Sequence, residues 1–206
     1  MTSHQDGPEK LSNNPRIGVD IYSKTCYNTS MKSEKHNMKK AFVFDFDDTL
    51  ATTDCKVRVV RSGRGTGHLA HKKLTPAEFN GYKLKGDEKF DFSEFRTEGF
   101  IRCANPTYLM ALAKEVHDEG HSVFVLTARA DNVADAITDF LVGHGVKPVR
   151  VFGVGSDAEK VDIAIEKKKV LLVLTQAFDL VYFYDDCREN CDLAKGVGSG
   201  IKVYLV

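Results

Sequence analysis

Residues 42–50 read FVFDFDDTL. An apolar run over 41–44 is followed at once by three carboxylates and a hydroxyl: Asp45, Asp47, Asp48 and Thr49. Continuous apolar runs are typical of strands that helices cover on both faces of a parallel sheet. In such open sheets ligands bind beyond the carboxyl ends of the strands. Acids this close together repel each other unless a cation lies among them, and Mg²⁺ is the candidate. The alternative is a solvated acidic turn.

Length and composition limit the classes of protein. The chain has 206 residues, which suits one domain with a full core and a small insert. Its 29 basic and 29 acidic residues balance, so net charge neither favours nor excludes a nucleic-acid partner. No apolar run approaches the ~20 residues of a membrane span, and the first residues lack the apolar centre of a signal peptide. The 5 cysteines are widely spaced and odd in number, so we expect reduced thiols and a cytoplasmic protein.

The pattern of the chain predicts two parts. Residues 1–38 are rich in Ser, Asn, Lys and His and poor in large apolar side chains, so we expect a mostly disordered N-terminal arm. Residues 39–206 form the predicted domain. Within that domain, residues 50–105 are the predicted flap and small cap insert.

Strand and helix patterns alternate through the domain. Further strands are predicted at 122–129, 149–152, 180–184 and 201–205. A helix is predicted to start at Asn105-Pro106, with Asn105 as N-cap and Pro106 as the first helical residue, and to end before Gly120. Further helices are predicted at 131–142 before Gly143, from Ser156 or Asp157 through the Lys167–Lys169 run, and at 189–195. Short helices are expected after Thr75-Pro76 and at 91–98. This alternation predicts an α/β fold with a central parallel sheet and right-handed crossovers.

The insert begins with a predicted β-hairpin at 56–74, whose turn contains Gly63, Gly65 and Gly67. The stretch from 55 to 77 contains no acid and six cations: Lys56, Arg58, Arg61, Arg64, Lys72 and Lys73. Such a run is either a polyanion-binding surface or an ordinary solvated face.

Polar residues follow three of the predicted strands. They are Asp45, Asp47, Asp48 and Thr49 after the first, Thr127 and Arg129 after the second, and Asp185 and Asp186 after a later one. Because parallel strands end at the same edge of a sheet, we expect these side chains to converge. Carboxylates beside a hydroxyl and a guanidinium suit a phosphate ester held against a magnesium ion.

These motifs resemble those of the haloacid dehalogenase-like (HAD) phosphohydrolases, and the resemblance covers 40–206. The family's DxDx(T/V) motif matches Asp45, Asp47 and Thr49, and its strand ending in Thr or Ser matches Thr127. Its strand ending in paired acids matches Asp185 and Asp186. The resemblance implies a HAD-like Rossmannoid three-layer sandwich with a β-hairpin flap and a small cap insert.

The family's third motif is a lone lysine, for which four residues compete: Lys160, Lys167, Lys168 and Lys169. Lys167 is favoured because Val170 and Leu171 follow it at the spacing seen in related helices. The other lysines would form a solvated helix face.

The resemblance also implies a role for each matched residue. Asp45 would be the nucleophile that forms an aspartyl-phosphate, and Asp47 the general acid and then the general base. Thr127 and Lys167 would bind the phosphoryl group. Arg129 would either add a phosphate contact or form a salt bridge to an acid.

The metal-binding residues are likewise implied by the resemblance. Asp45, the Asp47 carbonyl group and Asp185, with Asp186 in support, would bind Mg²⁺. The implied activity is therefore that of a magnesium-dependent phosphomonoester hydrolase.

The insert suggests the class of substrate. A small cap leaves the site open to large molecules, and residues 178–186 are similar to the phosphatase domain of polynucleotide kinase-phosphatases. This similarity implies a nucleic-acid 3′-phosphate end as substrate. A nucleotidase or other small-molecule phosphatase is the alternative. A non-catalytic binding module is disfavoured by the intact Asp45 and Asp47 pair. The oligomeric state is left open.

Overall fold

The computed structural model describes residues 38–62, 68–156 and 161–206. All of these belong to one compact unit, Asn37–Val206. The predicted arm lies outside the described residues except for Met38, and so do the turn of the hairpin and Lys160. Within the described residues, no helix combines the length and the apolar character needed to cross a membrane.

Strands and helices alternate as the sequence predicts. The strands are β1 Lys40–Phe44, β2 Ala51–Thr52, β3 Val57–Ser62, β4 His68–Leu74, β5 Glu88–Asp91, β6 Asn105–Pro106, β7 Ser122–Ala130, β8 Arg150–Gly155, β9 Leu180–Asp185 and β10 Ile201–Leu205. The α-helices are α1 Pro76–Gly81, α2 Glu98–Arg102, α3 Leu109–Asp118, α4 Ala134–Gly143, α5 Ile163–Ala177 and α6 Arg188–Lys195. Two 3₁₀ helices, Ser93–Arg96 and Asp131–Val133, precede α2 and α4.

The central sheet has five strands in the order β10-β9-β1-β7-β8, and every pairing in it is parallel. The alternation of side chains along β1 explains the three layers. Phe42 and Phe44 pack with α3 and α4 on one face of the sheet, and Ala41 and Val43 pack with α5 and α6 on the other. The predicted α/β fold class with a central parallel sheet is therefore confirmed.

The insert contains a separate antiparallel sheet in the order β4-β3-β5, which we call the flap. The predicted hairpin corresponds to β3 and β4. Strand β5 was not predicted, and the helix expected at 91–98 is wrong. That stretch begins at the end of β5 and continues through the 3₁₀ helix Ser93–Arg96 to α2.

Three helix boundaries differ from the predictions. Asn105-Pro106 does not start a helix, because both residues pair with β2, and α3 begins at Leu109. Helix α5 begins after Asp162, whose side chain accepts a hydrogen bond from the Ile165 amide, later than the predicted start at 156 or 157.

The third difference is at the end of α4. Gly143 belongs to the helix, and the left-handed residue that follows is Gly145, with φ of +81°. The neighbouring helix α3 ends as predicted, with Gly120 left-handed just beyond it.

Candidate active site

The register of the sheet brings the predicted site residues to one edge. Phe44, the last residue of β1, pairs with Val125 of β7 and Tyr184 of β9. The Asp45 amide extends this ladder by donating to the Tyr184 carbonyl at 2.9 Å. Asp45 therefore lies beside Asp185, which follows Tyr184, while β7 reaches the same edge with Thr127.

Lys167 links the two buried acids. Its Nζ lies 2.6 Å from Asp45 Oδ1 and 2.7 Å from Asp185 Oδ2, and the side chain is only 2% exposed. Burial alone would lower the pKa of this ammonium, but the charges of Asp45 and Asp185 raise it above its ordinary value. Lys167 is thus a fixed cation at the carboxylate cluster.

The neighbouring lysines are placed differently. Lys169 is exposed and pairs with Glu166 at 2.6 Å, and Lys168 is half-buried near Gly196. Among the described lysines of the run, only Lys167 reaches Asp45.

Asp45 lies in a surplus of negative charge. Burial raises its pKa well above the ordinary value, Lys167 opposes this shift, and Asp185 and Asp47 add to it. Partial desolvation, together with the charges of Asp185 and Asp48, also raises the pKa of Asp186 to about 6, although its side chain is still exposed to solvent. Lys167 and the guanidinium of Arg129 do not balance the five carboxylates at this edge, so the edge favours a further cation.

The carboxylate of Asp185 is fully hydrogen-bonded. Besides Lys167, it accepts from the Cys187 amide at 2.9 Å and from Asn190 Nδ2 at 3.0 and 3.2 Å. These bonds occupy the approximately four acceptor positions of a carboxylate. Asp186, the next residue, is exposed to solvent.

Asn190 is a site residue that the sequence reasoning missed. It is buried in α6, five positions after Asp185. The signal was an amide on the first turns of the helix that follows the paired acids, where it can turn back to the end of β9.

Asp48 takes a backbone conformation unusual for its type. Its φ is +56°, and no other described non-glycine residue has a positive φ. The tight turn after β1 requires this value, and Asp tolerates the left-handed region better than most residues.

Asp47 is held by Arg129 and Thr53. Arg129 Nε donates to Asp47 Oδ2 at 2.8 Å and Arg129 Nη2 to Asp47 Oδ1 at 2.7 Å, while Thr53 Oγ1 donates to Oδ1 at 3.2 Å. Of the two alternatives for Arg129, the salt bridge is the one that the structure contains. Thr53 was not predicted, because a single threonine four residues after the DxDx(T/V) motif is not itself a sequence signal.

The donor groups at this edge are oxygen atoms of the kind that magnesium prefers. Across the described ranges, no three His, Cys, Asp or Glu side chains are close enough together to hold a metal ion by themselves. Mg²⁺ is commonly bound by one or two carboxylates, with water and phosphate oxygens completing its coordination. Asp45, Asp185 and Asp186, with the carbonyl group of Asp47, are the oxygen donors at this edge, in a region of surplus negative charge.

No family model and no curated protein matches the sequence. Among solved structures, one chain of the Pnkp1/Rnl/Hen1 complex is similar with a TM-score of 0.51 at 14% identity. The match covers 92% of this chain and 58% of that one, so this chain spans little more than half of its length. This likeness shows a shared fold.

Two weaker likenesses are to HAD proteins. The HAD family enzyme BT-2542 from Bacteroides thetaiotaomicron, solved with magnesium and inorganic phosphate, has a TM-score of 0.42 at 15% identity, covering 81% of this chain and 93% of its own. The haloacid dehalogenase-like hydrolase SP0104 from Streptococcus pneumoniae has a TM-score of 0.44 at 14% identity, covering 80% and 83%. The motif residues lie at the carboxyl edge of a parallel sheet, which is the arrangement that the resemblance to the HAD phosphohydrolases implies.

Proposed function

We propose that the protein is a magnesium-dependent phosphomonoester hydrolase that acts through an aspartyl-phosphate on Asp45. The observation that carries this proposal is the buried contact of Lys167 with both Asp45 and Asp185. A buried ammonium beside a strand-end carboxylate can offset the repulsion between that carboxylate and a phosphate dianion. A structural ion pair alone would not require the adjacent Asp47 and Thr127.

Each side chain then has a defined task. A carboxylate oxygen of Asp45 attacks phosphorus while the ester oxygen leaves with a proton from Asp47. Asp47 next removes a proton from water, which attacks the phosphorus of the aspartyl-phosphate and frees Asp45 and inorganic phosphate. Lys167 and the hydroxyl of Thr127 hold phosphoryl oxygens throughout.

Magnesium would be held by Asp45, Asp186 and the Asp47 carbonyl group. When bound, the ion neutralises phosphate oxygens and keeps Asp45 ionised despite its burial. In this arrangement Asp185 orients Lys167 and is not itself a ligand, which exchanges the roles that the family resemblance gives to the two acids.

The first candidate substrate is a polynucleotide with a 3′-phosphate end. It is supported by the sequence similarity to polynucleotide kinase-phosphatases and by the fold likeness to a chain of the Pnkp1/Rnl/Hen1 complex.

A nucleotide or another small phosphomonoester is the second candidate, and the flap favours it. Three of the flap's cations face acids of the same insert: Arg58 with Asp91, Arg61 with Glu88, and Lys73 with Glu94. These pairs reduce the charge that the flap can offer to a polyanion.

A panel of phosphate-release assays tests both levels of the proposal. Oligonucleotides with 3′- or 5′-phosphates, mononucleotides and an aryl phosphate are each assayed with Mg²⁺, with EDTA, and with the Asp45→Asn variant. We expect turnover that EDTA abolishes and Mg²⁺ restores, and none from Asp45→Asn, because an amide cannot form the acyl phosphate. Full activity of Asp45→Asn would end the assignment. Preference for the 3′-phosphorylated oligonucleotide would select the first candidate, and preference for mononucleotides the second.

A further inference from the structure

Arg129 lies behind Asp47 as seen from solvent. Its side chain is 1% exposed, whereas that of Asp47 is 22% exposed. In addition to the two bonds to Asp47, Arg129 Nη1 donates to the Phe95 carbonyl at 2.7 Å, and Nη2 contacts Thr53 Oγ1 at 3.2 Å and Cys55 Sγ at 3.4 Å. Nearly all donors of the guanidinium are used within the protein. It has little capacity left to bind a phosphate.

The partners of Arg129 come from different parts of the fold. Asp47 follows β1, whereas Phe95 lies in the 3₁₀ helix Ser93–Arg96 of the insert. The guanidinium also lies against two rings, with its carbon 5.6 Å from the centre of Phe46 and 5.2 Å from that of Phe95. Arg129 therefore joins the turn after β1, which contains Asp47, to the insert across the end of β7.

The backbone at the end of β7 determines where the Arg129 guanidinium lies. Beyond Thr127 the pairing of β7 with β8 becomes irregular, and Gly155 passes so close that an added Cβ would lie 2.2 Å from the Ala128 carbonyl oxygen. The Arg129 amide also donates to Thr127 Oγ1 at 3.1 Å. This turn directs the guanidinium toward Asp47.

We propose that Arg129 is a positioning residue, which with Thr53 ties the carboxylate of Asp47 to the insert and aims it at the leaving group of the substrate. This inference deepens the proposed function and rests on it. In the ionised form both oxygens of Asp47 accept from the guanidinium; when Asp47 carries the proton that the leaving group takes, its hydroxyl oxygen gives up one of these contacts and its carbonyl oxygen keeps the other. Because the same guanidinium donates to the Phe95 carbonyl, the position of the insert sets the position of Asp47. The insert thus acts on proton transfer and not only on substrate entry.

Substrates with different leaving groups can distinguish a positioning role of Arg129 from a purely structural role. Departure of an alkoxide needs a proton from Asp47, whereas dinitrophenolate leaves without one. Because kcat/KM reports on the steps up to loss of the leaving group, we compare kcat/KM for an alkyl phosphate and for 2,4-dinitrophenyl phosphate. For Arg129→Met we expect a loss of about 100-fold on the alkyl phosphate and a loss at least about tenfold smaller on the aryl phosphate.

The aryl phosphate should also show a second signature. Hydrolysis of the aspartyl-phosphate needs Asp47 as base, so kcat should fall for Arg129→Met even where kcat/KM is kept. A pre-steady-state burst of dinitrophenolate should then appear. Arg129→Lys retains the charge but not the two-pronged contact, and it should give the same pattern.

Thr53→Val and Arg102→Met complete the design. Thr53→Val removes one contact to Asp47 at nearly constant volume. It should therefore lower kcat/KM more for the alkyl phosphate than for the dinitrophenyl phosphate, but by a smaller factor than Arg129→Met. If Arg129→Met fails to fold, Thr53→Val is the variant that tests the positioning role. Arg102→Met removes an exposed arginine paired with Glu98 and should leave kcat/KM unchanged for both substrates.

Each outcome is decisive for one of the two claims. Equal losses on both substrates, in variants with wild-type melting temperature, would overturn the positioning role while leaving the proposed function intact. If the wild-type protein turns over neither substrate, the proposed function fails, and this inference fails with it.

Discussion

Lys167 shows how a single side chain sets the balance of charge at the site. It is buried between Asp45 and Asp185, so its removal leaves two carboxylates facing each other with reduced solvation. Breaking a buried ion pair by removing one partner costs about 3–5 kcal/mol. The same change removes a cation that would face the phosphoryl group.

The variant Lys167→Met keeps most of the side-chain volume and removes the charge. We expect kcat/KM to fall by about 100-fold or more, as for loss of one preorganised donor, and the free energy of unfolding to fall by about 3 kcal/mol. Phosphate release and urea denaturation measure the two effects. Lys169→Met is the matched control, because Lys169 is exposed and bonded only to Glu166. A comparable loss from Lys169→Met would show that the wrong lysine has been assigned.

Some of these residues could be assigned from the sequence and others could not. Asp45, Thr127 and Asp185 each follow directly on an apolar run, and the geometry of parallel strands then brings them together. The partner of Arg129 could not be assigned, because Asp47 is 82 positions away and a phosphate was an equally good partner. Thr53 was identified only by its three-dimensional contacts, whereas the one sequence signal for Asn190 was its place on the first turns of the helix after the paired acids.

The flap shows what local patterns miss in a whole element. Its basic strands were visible in the sequence, but the pairing of β5 with β3 was not. Strand β5 reads EKFD, which is too short and too charged to stand out. Its acids nevertheless neutralise Arg58 and Arg61, and the surface that results is less basic than the hairpin sequence suggested.

At Asn105-Pro106 the local sequence strongly favours a helix start, but strand pairing with a distant part of the chain determines the structure instead. An N-cap residue followed by proline favours a helix start. Here both residues pair with β2, and the Thr107 hydroxyl then accepts from the Leu109 amide at 3.2 Å as α3 begins. The predicted helix is present but begins later.

Glu88 connects the parts of the flap and provides a prediction on pH. Its pKa is lowered from 4.5 to about 2, first by the hydrogen bond from the Lys85 amide and then, against the effect of burial, by Arg61, Tyr82 and His71. A carboxyl whose pKa is lower in the folded state stabilises that state above its unfolded pKa. This contribution is lost as pH falls through the folded value.

Glu88→Gln should therefore lower the melting temperature at neutral pH. The difference from the wild type should shrink between about pH 4.5 and pH 2, the window that the two pKa values of Glu88 define. Thermal melting followed by circular dichroism across this range measures it. Asp87→Asn is the control. Asp87 is exposed and its contact with Arg61 is long, at 3.9 Å, so this change should have little effect on the melting temperature. A difference that persists unchanged at pH 2 would mean that the charge of Glu88 does not stabilise the flap.

The molecule as a whole combines a rigid sheet edge with an insert that reaches the same edge. The fold class could be predicted because alternating strands and helices leave few topologies, and because the polar residues follow the strands that β1 pairs with. The contacts between the insert and the sheet could not be predicted from the sequence, because they depend on hydrogen bonds such as the one that Arg129 donates to the Phe95 carbonyl. We expect substrate choice to depend on this contact and on the charge of the flap.

Chemical trapping tests the central claim, that Asp45 becomes phosphorylated during turnover. The protein is mixed with an aryl phosphate and Mg²⁺, quenched in acid, and treated with borohydride, which reduces an aspartyl-phosphate to homoserine. Peptide mass spectrometry then locates the change. We expect homoserine at position 45 in the wild type and none in Asp45→Asn. Rapid phosphate release with Asp45 unmodified, or homoserine at a different aspartate, would contradict the account.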